Sequence, residues 1–328
     1  MGIEIQEELA CTVVEPTRDV PNLMEDVLAG LFAENKHLPP KYFYDDRGSE
    51  LFDRICDEPE YYPTRTEDAL LRESAENIIK RTFPNQILEF GSGTSRKTVH
   101  LLQACENLNC APTYVPFDVC DDIIIKSSGG LQKRFPWLDI VPISGDYTAG
   151  LGNLPTGKGP NLFLFLGGTI GNFAEPDARK FLREAREIMN HDDWLLIGAD
   201  RVKEPARLHA AYNDAAGVTA EFNLNLLEVL NRELGASFDK TNFEHYACYN
   251  PDANQVEMYL MSMQDQMVEA RELNQDISFV EGEAILTEIS RKFTKASLEK
   301  LLDEAGFAMV DHFEATEHPF SLALVRPT

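Results

Sequence analysis

Basic residues are scarce in this chain: 30 lysines and arginines stand against 55 aspartates and glutamates, a formal net charge of −25. Such a surface repels phosphate backbones, because nucleic-acid binding draws on cationic clusters that displace condensed counterions. The one basic stretch in reach, Lys126 to Arg134, sets Lys126, Lys133 and Arg134 among glycines and serines and reads as a solvated loop. No nucleic-acid partner is expected. Long apolar runs are missing as well, with none of the roughly 18 residues a membrane helix needs, so no membrane partner is expected either. The N-terminal MGIEIQEELACTVVEP has acids where a signal peptide is basic and no apolar core, and Gln6 stands where a myristoylation pattern needs Ser or Thr. The six cysteines (11, 56, 105, 110, 120, 248) form no CxxC pair and no zinc-like spacing with the seven histidines. Free thiols in a reducing compartment, no metal, and a cytoplasmic monomer are the expectations.

What is present is a substantial core. At 328 residues and 43% hydrophobic composition, the chain is long enough for two domains, or for one large domain with an insertion. NQILEF (85–90), the glycine turn GSGTSRK and the helically spaced TVHLLQACENL lead into a second strand, TYVPFDV (113–119), which makes one βαβ unit. DIVPISGDY (139–147) reads as a third strand, and NLFLFLGGTIGNF (161–173) opens with the continuous apolar run of a central parallel strand. An amphipathic helix at 177–190 and a strand at 192–200 follow, so the predicted class is α/β with a doubly wound, mostly parallel sheet. The tail, KASLEKLLDEAGF (295–307), AMVDHFEA (308–315) and FSLALVRP (320–327), predicts a helix and an antiparallel C-terminal hairpin. Between 201 and 293 the rhythm changes to helices and antiparallel-looking strands (HYACYN, QVEMYLMSMQ, ISFVEGEAILTEIS). That stretch reads as an insertion, giving a nucleotide-binding domain of 66–200 with 294–328 and a second, α+β domain of 1–65 with 201–293. A small ligand would bind in the cleft between them.

LEFGSGT (88–94) follows a strand and opens a helix, so its backbone N–H groups face whatever lies above the sheet. Arg96 occupies the place of the third glycine of a dinucleotide fingerprint, which argues against a nicotinamide oxidoreductase. Glu89 before the glycines would accept from a ligand's amino group or support the loop. Asp118, ending the next strand, is placed for a ribose diol, and Asp146 with Tyr147 for an adenine. Acids on both sides of a GxG turn suit a cationic, phosphate-free nucleoside, and the implied ligand is S-adenosylmethionine. Near the other end, ILTEISRKF (285–293) puts Glu288 and Ser290 two apart among β-formers. Strand alternation would place both on one face, with Thr287 and Ile289 on the other.

KYFYDDRGSELFDRICDEPEYYPTRTE (41–67), LEFGSGTSRKT (88–98), PFDV (116–119), GDY (145–147), FLGGTIGNF (165–173), VEM (256–258) and LTEISRKF (286–293) resemble the histidine-specific Nα-methyltransferases of ergothioneine biosynthesis. The match spans nearly the whole chain, and EYYPTR and TEIS are its most specific blocks. The resemblance implies a Rossmann-like methyltransferase sheet with a second domain for substrate. The activity it implies is trimethylation of the α-amine of L-histidine to hercynine. By the same resemblance, Gly91, Lys97, Asp118, Asp146 and Tyr147 are S-adenosylmethionine positions, with Tyr147 where phenylalanine is usual. Asn172 and Tyr212 match holders of the substrate carboxylate, Tyr44 and Asn172 lie at its amine, and Tyr61, Met258, Glu288 and Ser290 surround the imidazole. The chemistry agrees: a neutral imidazole offers one donor and one acceptor, which a carboxylate and a hydroxyl side by side can satisfy. The rival readings are the same chemistry on another amino acid such as a tryptophan derivative, and a silent binding protein.

Overall fold

The computed structural model describes residues 10–328; the first nine residues, half of the stretch read for targeting signals, lie outside them. In chain order the elements begin with β1 (Thr12–Val13), α1 (Leu23–Gly30), α2 (Asp46–Asp57), α3 (Tyr62–Thr82) and β2 (Gln86–Phe90). They continue with α4 (Thr98–Asn107), β3 (Thr113–Asp118), α5 (Asp121–Arg134), β4 (Ile143–Ser144), β5 (Asn161–Phe165), α6 (Glu175–Ile188) and β6 (Trp194–Asp200). After α7 (Pro205–Ala211) and α8 (Val218–Leu234) come β7 (Phe243–Asn250), β8 (Gln255–Ser262), β9 (Gln266–Ala270), β10 (Gln275–Phe279) and β11 (Ala284–Arg291). The chain closes with α9 (Lys295–Glu304), β12 (Phe307–Glu314) and β13 (Phe320–Pro327).

The main sheet has eight strands in the order β1-β4-β3-β2-β5-β6-β13-β12, parallel as far as β6, with β13 antiparallel to both of its neighbours. It is the doubly wound sheet with a C-terminal hairpin that the sequence pattern predicts. Each face carries its own apolar cluster. Leu88, Phe90, Phe163 and Phe165 point to the side of α6 and α9, and Ile87, Tyr114, Leu162 and Leu164 to the side of α3 and α4. Strands buried on both faces explain why NLFLF is apolar without alternation. The order reverses between β2 and β5, which is where open α/β sheets bind ligands. A third cluster joins α1, α2 and α8 to the three-stranded sheet β11-β8-β7. The division expected at residue 65 passes through α3, a continuous helix whose buried face packs on the main sheet.

Three local readings are corrected. Lys126 to Arg134 is not a loop but the second half of α5. Ile124 and Leu131, seven apart, bury one helical face, Asp121 and Asp122 complement the amino end, and Lys133 and Arg134 the carboxyl end. Packing thus overrides the low propensity of Gly129 and Gly130, about 1 kcal/mol each. The strand expected over 139–147 pairs only at Ile143–Ser144, with an isolated bridge at Ile140, because Pro116 on the facing strand β3 has no N–H to give to Val141 O. Finally, 277–290 is two strands in separate sheets, parted by a turn at Val280–Glu283.

Close approaches tie the helices to the sheet at its carboxyl end. The carboxylate of Glu67 on α3, fully buried, accepts from Gly167 N at 2.9 Å and ion-pairs with Lys97. It occupies the space a side chain at Gly198 on β6 would fill: a Cβ there would lie 1.9 Å from Glu67 Oε1 and 3.4 Å from the Phe320 ring. Gly198→Ala should therefore cost about 1–3 kcal/mol of stability by overpacking, read as a lower urea midpoint with an unchanged slope.

Candidate active site

The glycine loop is shaped by β3. Gly91 N and Ser92 N both donate to Phe117 O, at 2.8 and 3.2 Å, so the chain turns over the strand end. Asp118 closes the turn: its Oδ2 accepts from Gly93 N at 2.8 Å, and its Oδ1 from Val119 N at 2.8 Å and Cys120 N at 3.3 Å. Burial pushes its pKa above the ordinary carboxylate value, and the three backbone donors oppose the rise. Asp146 caps the short turn after β4, with Oδ1 accepting from Thr148 N at 2.7 Å and from its hydroxyl at 2.6 Å. Tyr147 stands in an aromatic wall with Phe165, Phe173 and Phe181, and its ring edge would lie 3.5 Å from a Cβ on Gly91. Lys97 enters from the start of α4, paired with Glu67. The structure thus gathers Gly91, Lys97, Asp118, Asp146 and Tyr147 around the carboxyl ends of β2, β3 and β4. Glu89 is placed otherwise. It lies beneath the loop, 4% exposed, accepting from Thr98 Oγ1 at 2.6 Å and from the Tyr114 hydroxyl, and burial raises its pKa to about 7. It anchors the loop from below, with its carboxylate committed to Thr98 and Tyr114.

On the other side of the cleft a β-bulge sets the geometry. Ile285 pairs with Leu260 and Leu286 with Tyr259, but the next partner, Met258, faces Glu288. Thr287 is the extra residue. Its buried hydroxyl bonds Asn223 Oδ1 at 2.7 Å and Met258 O at 3.1 Å. The bulge exchanges the faces of the strand beyond it. Up to Thr287 the odd positions point inward; after it Glu288 and Ser290 do, opposite the buried Met258 and Val256. Glu288 and Ser290 share one face as expected, while Thr287 is buried with them through the bulge and does not point away.

Asn172 reaches Glu288 because Gly171 lets the turn at 169–172 touch β11. A Cβ on Gly171 would lie 2.7 Å from Arg291 O. Asn172 Nδ2 donates to Glu288 Oε1. Burial raises the Glu288 pKa to about 7, against the lowering effect of Asn172 and of the Lys292 charge. Behind Ser290 runs a buried network: Lys292 Nζ donates to Ser290 Oγ at 2.8 Å and to the Tyr212 hydroxyl at 2.9 Å, and pairs with Asp200 at 3.0 Å. Asp200 also takes Lys203 and the Tyr62 hydroxyl, and the Asp200 carboxyl is held below its ordinary value by the two lysines despite its burial. Lys292 carries a legible signal, since 288, 290 and 292 keep strand period; Asp200, Lys203, Glu67 and Asn223 carry none before the fold assembles them.

Aromatic rings complete the wall. Tyr61 meets Tyr212 edge-on at 6.1 Å and Phe52 at 6.3 Å, and Tyr44 packs on Phe52 and Phe222 at 5.7 and 5.9 Å. Tyr44 keeps 40% of its surface exposed. Desolvation by the surrounding walls, with the charges of Glu288 and Asp118 in its field, drives its hydroxyl pKa well above the ordinary value, so it stays protonated. Met258 is buried behind Glu288, in the packed face of the three-stranded sheet. Tyr44 thus lies within the field of both halves.

The model of a family described as "Histidine-specific methyltransferase, SAM-dependent" matches residues 23–327. The histidine N-alpha-methyltransferase of Mycolicibacterium smegmatis is 41% identical over 302 residues, covering 92% of this chain and 94% of that protein. That of Mycobacterium tuberculosis is 40% identical over the same shares. Ergothioneine biosynthesis protein 1 of Schizosaccharomyces pombe is 27% identical over 88% of this chain and 38% of its own length.

The raised pKa of Glu288 has a sign that can be checked. Its ordinary value is 4.5 and its folded value about 7, so the folded state holds the proton more tightly and loses stability as pH rises through that window. Glu288→Gln removes the ionisation. The variant should unfold about 1–3 kcal/mol harder than wild type at pH 8 and equally at pH 4, by urea titration.

Proposed function

The chain belongs to the family of histidine-specific, S-adenosylmethionine-dependent methyltransferases, and from that premise we propose that it trimethylates the α-amine of L-histidine. The observation that carries the reading is the bulge in β11, which turns an acid and a hydroxyl, Glu288 and Ser290, to one face beside Asn172. That pair matches the donor and acceptor of an imidazole, whereas an indole has a single N–H and no acceptor nitrogen.

S-adenosylmethionine fits the residues on the sheet side. The missing side chain of Gly93 leaves open space above the loop, and Ser92 Oγ, buried in the same loop, has no hydrogen-bond partner among the described residues. Asp118 and Asp146 would hold its ribose and adenine, Tyr147 would cover the ring, and Lys97 would face its carboxylate. When bound it supplies a methyl group on a sulfonium centre. The chain's own task is to hold a neutral amine in line with that methyl, so position matters more than an electrophile. An α-amine with a pKa near about 8 is neutral in a useful fraction at mildly alkaline pH. Asn172 serves the amine through its amide oxygen and the carboxylate through its second N–H. The Tyr44 hydroxyl, protonated throughout, orients the amine from the other wall, while Tyr61 and Met258 enclose the ring and Tyr212 lies toward the carboxylate. With ring and carboxylate anchored, the amine can turn between successive transfers. We assign the substrate side to 1–65 and 201–293 and the cofactor side to 66–200 and 294–328.

Mass spectrometry of a reaction with S-adenosylmethionine and the twenty amino acids in competition should show histidine heavier by three methyl groups and the rest unchanged. Methylation of tryptophan instead would overturn the reading. Glu288→Ala should raise the histidine KM by ~10²-fold or more with little effect on cofactor affinity. Asp118→Ala should do the reverse, weakening cofactor binding in calorimetry while the histidine KM at saturating cofactor stays within a few-fold.

A further inference from the structure

Ser290 is polarised from behind. A lysine ammonium has three N–H donors and no acceptor. Lys292 Nζ meets three acceptors: Ser290 Oγ at 2.8 Å, the Tyr212 oxygen at 2.9 Å and Asp200 Oδ2 at 3.0 Å. Its side chain is 1% exposed, so water supplies no alternative partner and all three protons are committed. The Tyr212 and Ser290 oxygens lie 2.8 Å apart and share one further hydrogen bond. Between them the two hydroxyls own two protons: one lies in the shared bond and one points outward. A phenol is a stronger acid than an alkyl alcohol, and the alcohol oxygen is the better acceptor, so Tyr212 donates. Both lone pairs of Ser290 Oγ are then filled, by Lys292 and by Tyr212.

We infer that Ser290 presents a fixed O–H donor to the site and that Lys292, behind it, is the positioning residue that makes the site select one neutral imidazole tautomer, its lone pair toward Ser290 and its N–H toward Glu288. The inference rests on the reading of histidine as substrate and deepens it. It also changes the role expected of Tyr212: with its proton spent on Ser290 it donates nothing to the substrate carboxylate, which takes the second N–H of Asn172, while Lys292 supplies positive field behind the tyrosine. Without Lys292 one lone pair of Ser290 empties, and the hydroxyl is free to turn its proton back onto Tyr212. Asp200 retains Lys203 and Tyr62, so its charge stays paired.

The test uses the two pyrrolylalanine isomers, each of which keeps one ring N–H and has C–H where histidine has its acceptor nitrogen. In wild type, kcat/KM for both should fall ~10³-fold or more below that for histidine, because a fixed donor is left unpaired. In Lys292→Met the better isomer should come within ~10-fold of histidine, since the freed hydroxyl no longer demands an acceptor. Ser290→Ala should narrow the ratio likewise, and carries the comparison alone if Lys292→Met does not fold. A fall common to histidine and its analogues with the ratio preserved would mark Lys292 as structural only and overturn the inference, as would a pyrrole analogue that wild type uses as well as histidine. Failure of wild type to methylate histidine at all would instead refute the proposed function beneath it.

Discussion

Everything at the substrate side hangs from the ion pair between Asp200, the last residue of β6, and Lys292, just beyond β11. It is where the main sheet and the three-stranded sheet meet. Around it the backbones lock as well, with Phe293 N donating to Asp200 O at 2.8 Å and Val202 N to Phe293 O at 3.0 Å. A buried pair of this kind adds little net stability, because desolvation offsets the attraction, yet losing one partner strands the other in an apolar interior. Its role here is register. It fixes how far β11 lies from the strand ends of the cofactor sheet, and so where Glu288 and Ser290 stand relative to Asp118 and Tyr147.

A second constraint acts at the same seam. Contact between the turn at 169–172 and β11 is possible only because Gly171 lacks a side chain, and the contact brings an amide to a carboxylate. The carboxylate is held in a site that raises its pKa to about 7. In the absence of substrate that environment opposes the charged form, and the site costs stability in proportion. A ring N–H would give the carboxylate a second donor beside Asn172. Binding and relief of the electrostatic cost are then the same event, as is common where function and stability trade against each other.

Much of the fold can be read from local pattern. The apolar runs of β2, β5 and β6, the helical spacing of α4 and α6, and the hairpin β12–β13 each follow from side-chain periodicity, which acts over a few residues. The failures share one cause: information from elsewhere in the chain. α5 looks like a loop because two glycines interrupt it, until Ile124 and Leu131 find the sheet. Strand β4 shrinks to two residues because Pro116, on the strand it faces, interrupts the ladder before Phe117 and Asp118. Within the site, the acids after the strands and the Glu288–Ser290 pair are legible. The network of Asp200, Lys203 and Tyr62 is not, since its members are as far apart as 141 positions in the chain and nothing local marks them.

The sequence by itself determined the class of sheet, the glycine loop with its acids, and the pairing of an acid with a hydroxyl near the end, because those depend on spacing of two to four residues. Only the tertiary structure decided which way the pair faces. Simple alternation would have left Thr287 outside; the bulge at that residue buries its hydroxyl on Asn223 and turns Glu288 and Ser290 inward behind it. Tertiary structure also decided what Ser290 can do once there, since hydroxyl polarity follows from the partners that fill its lone pairs. Those partners, Lys292 and Tyr212, meet only after the two sheets have docked.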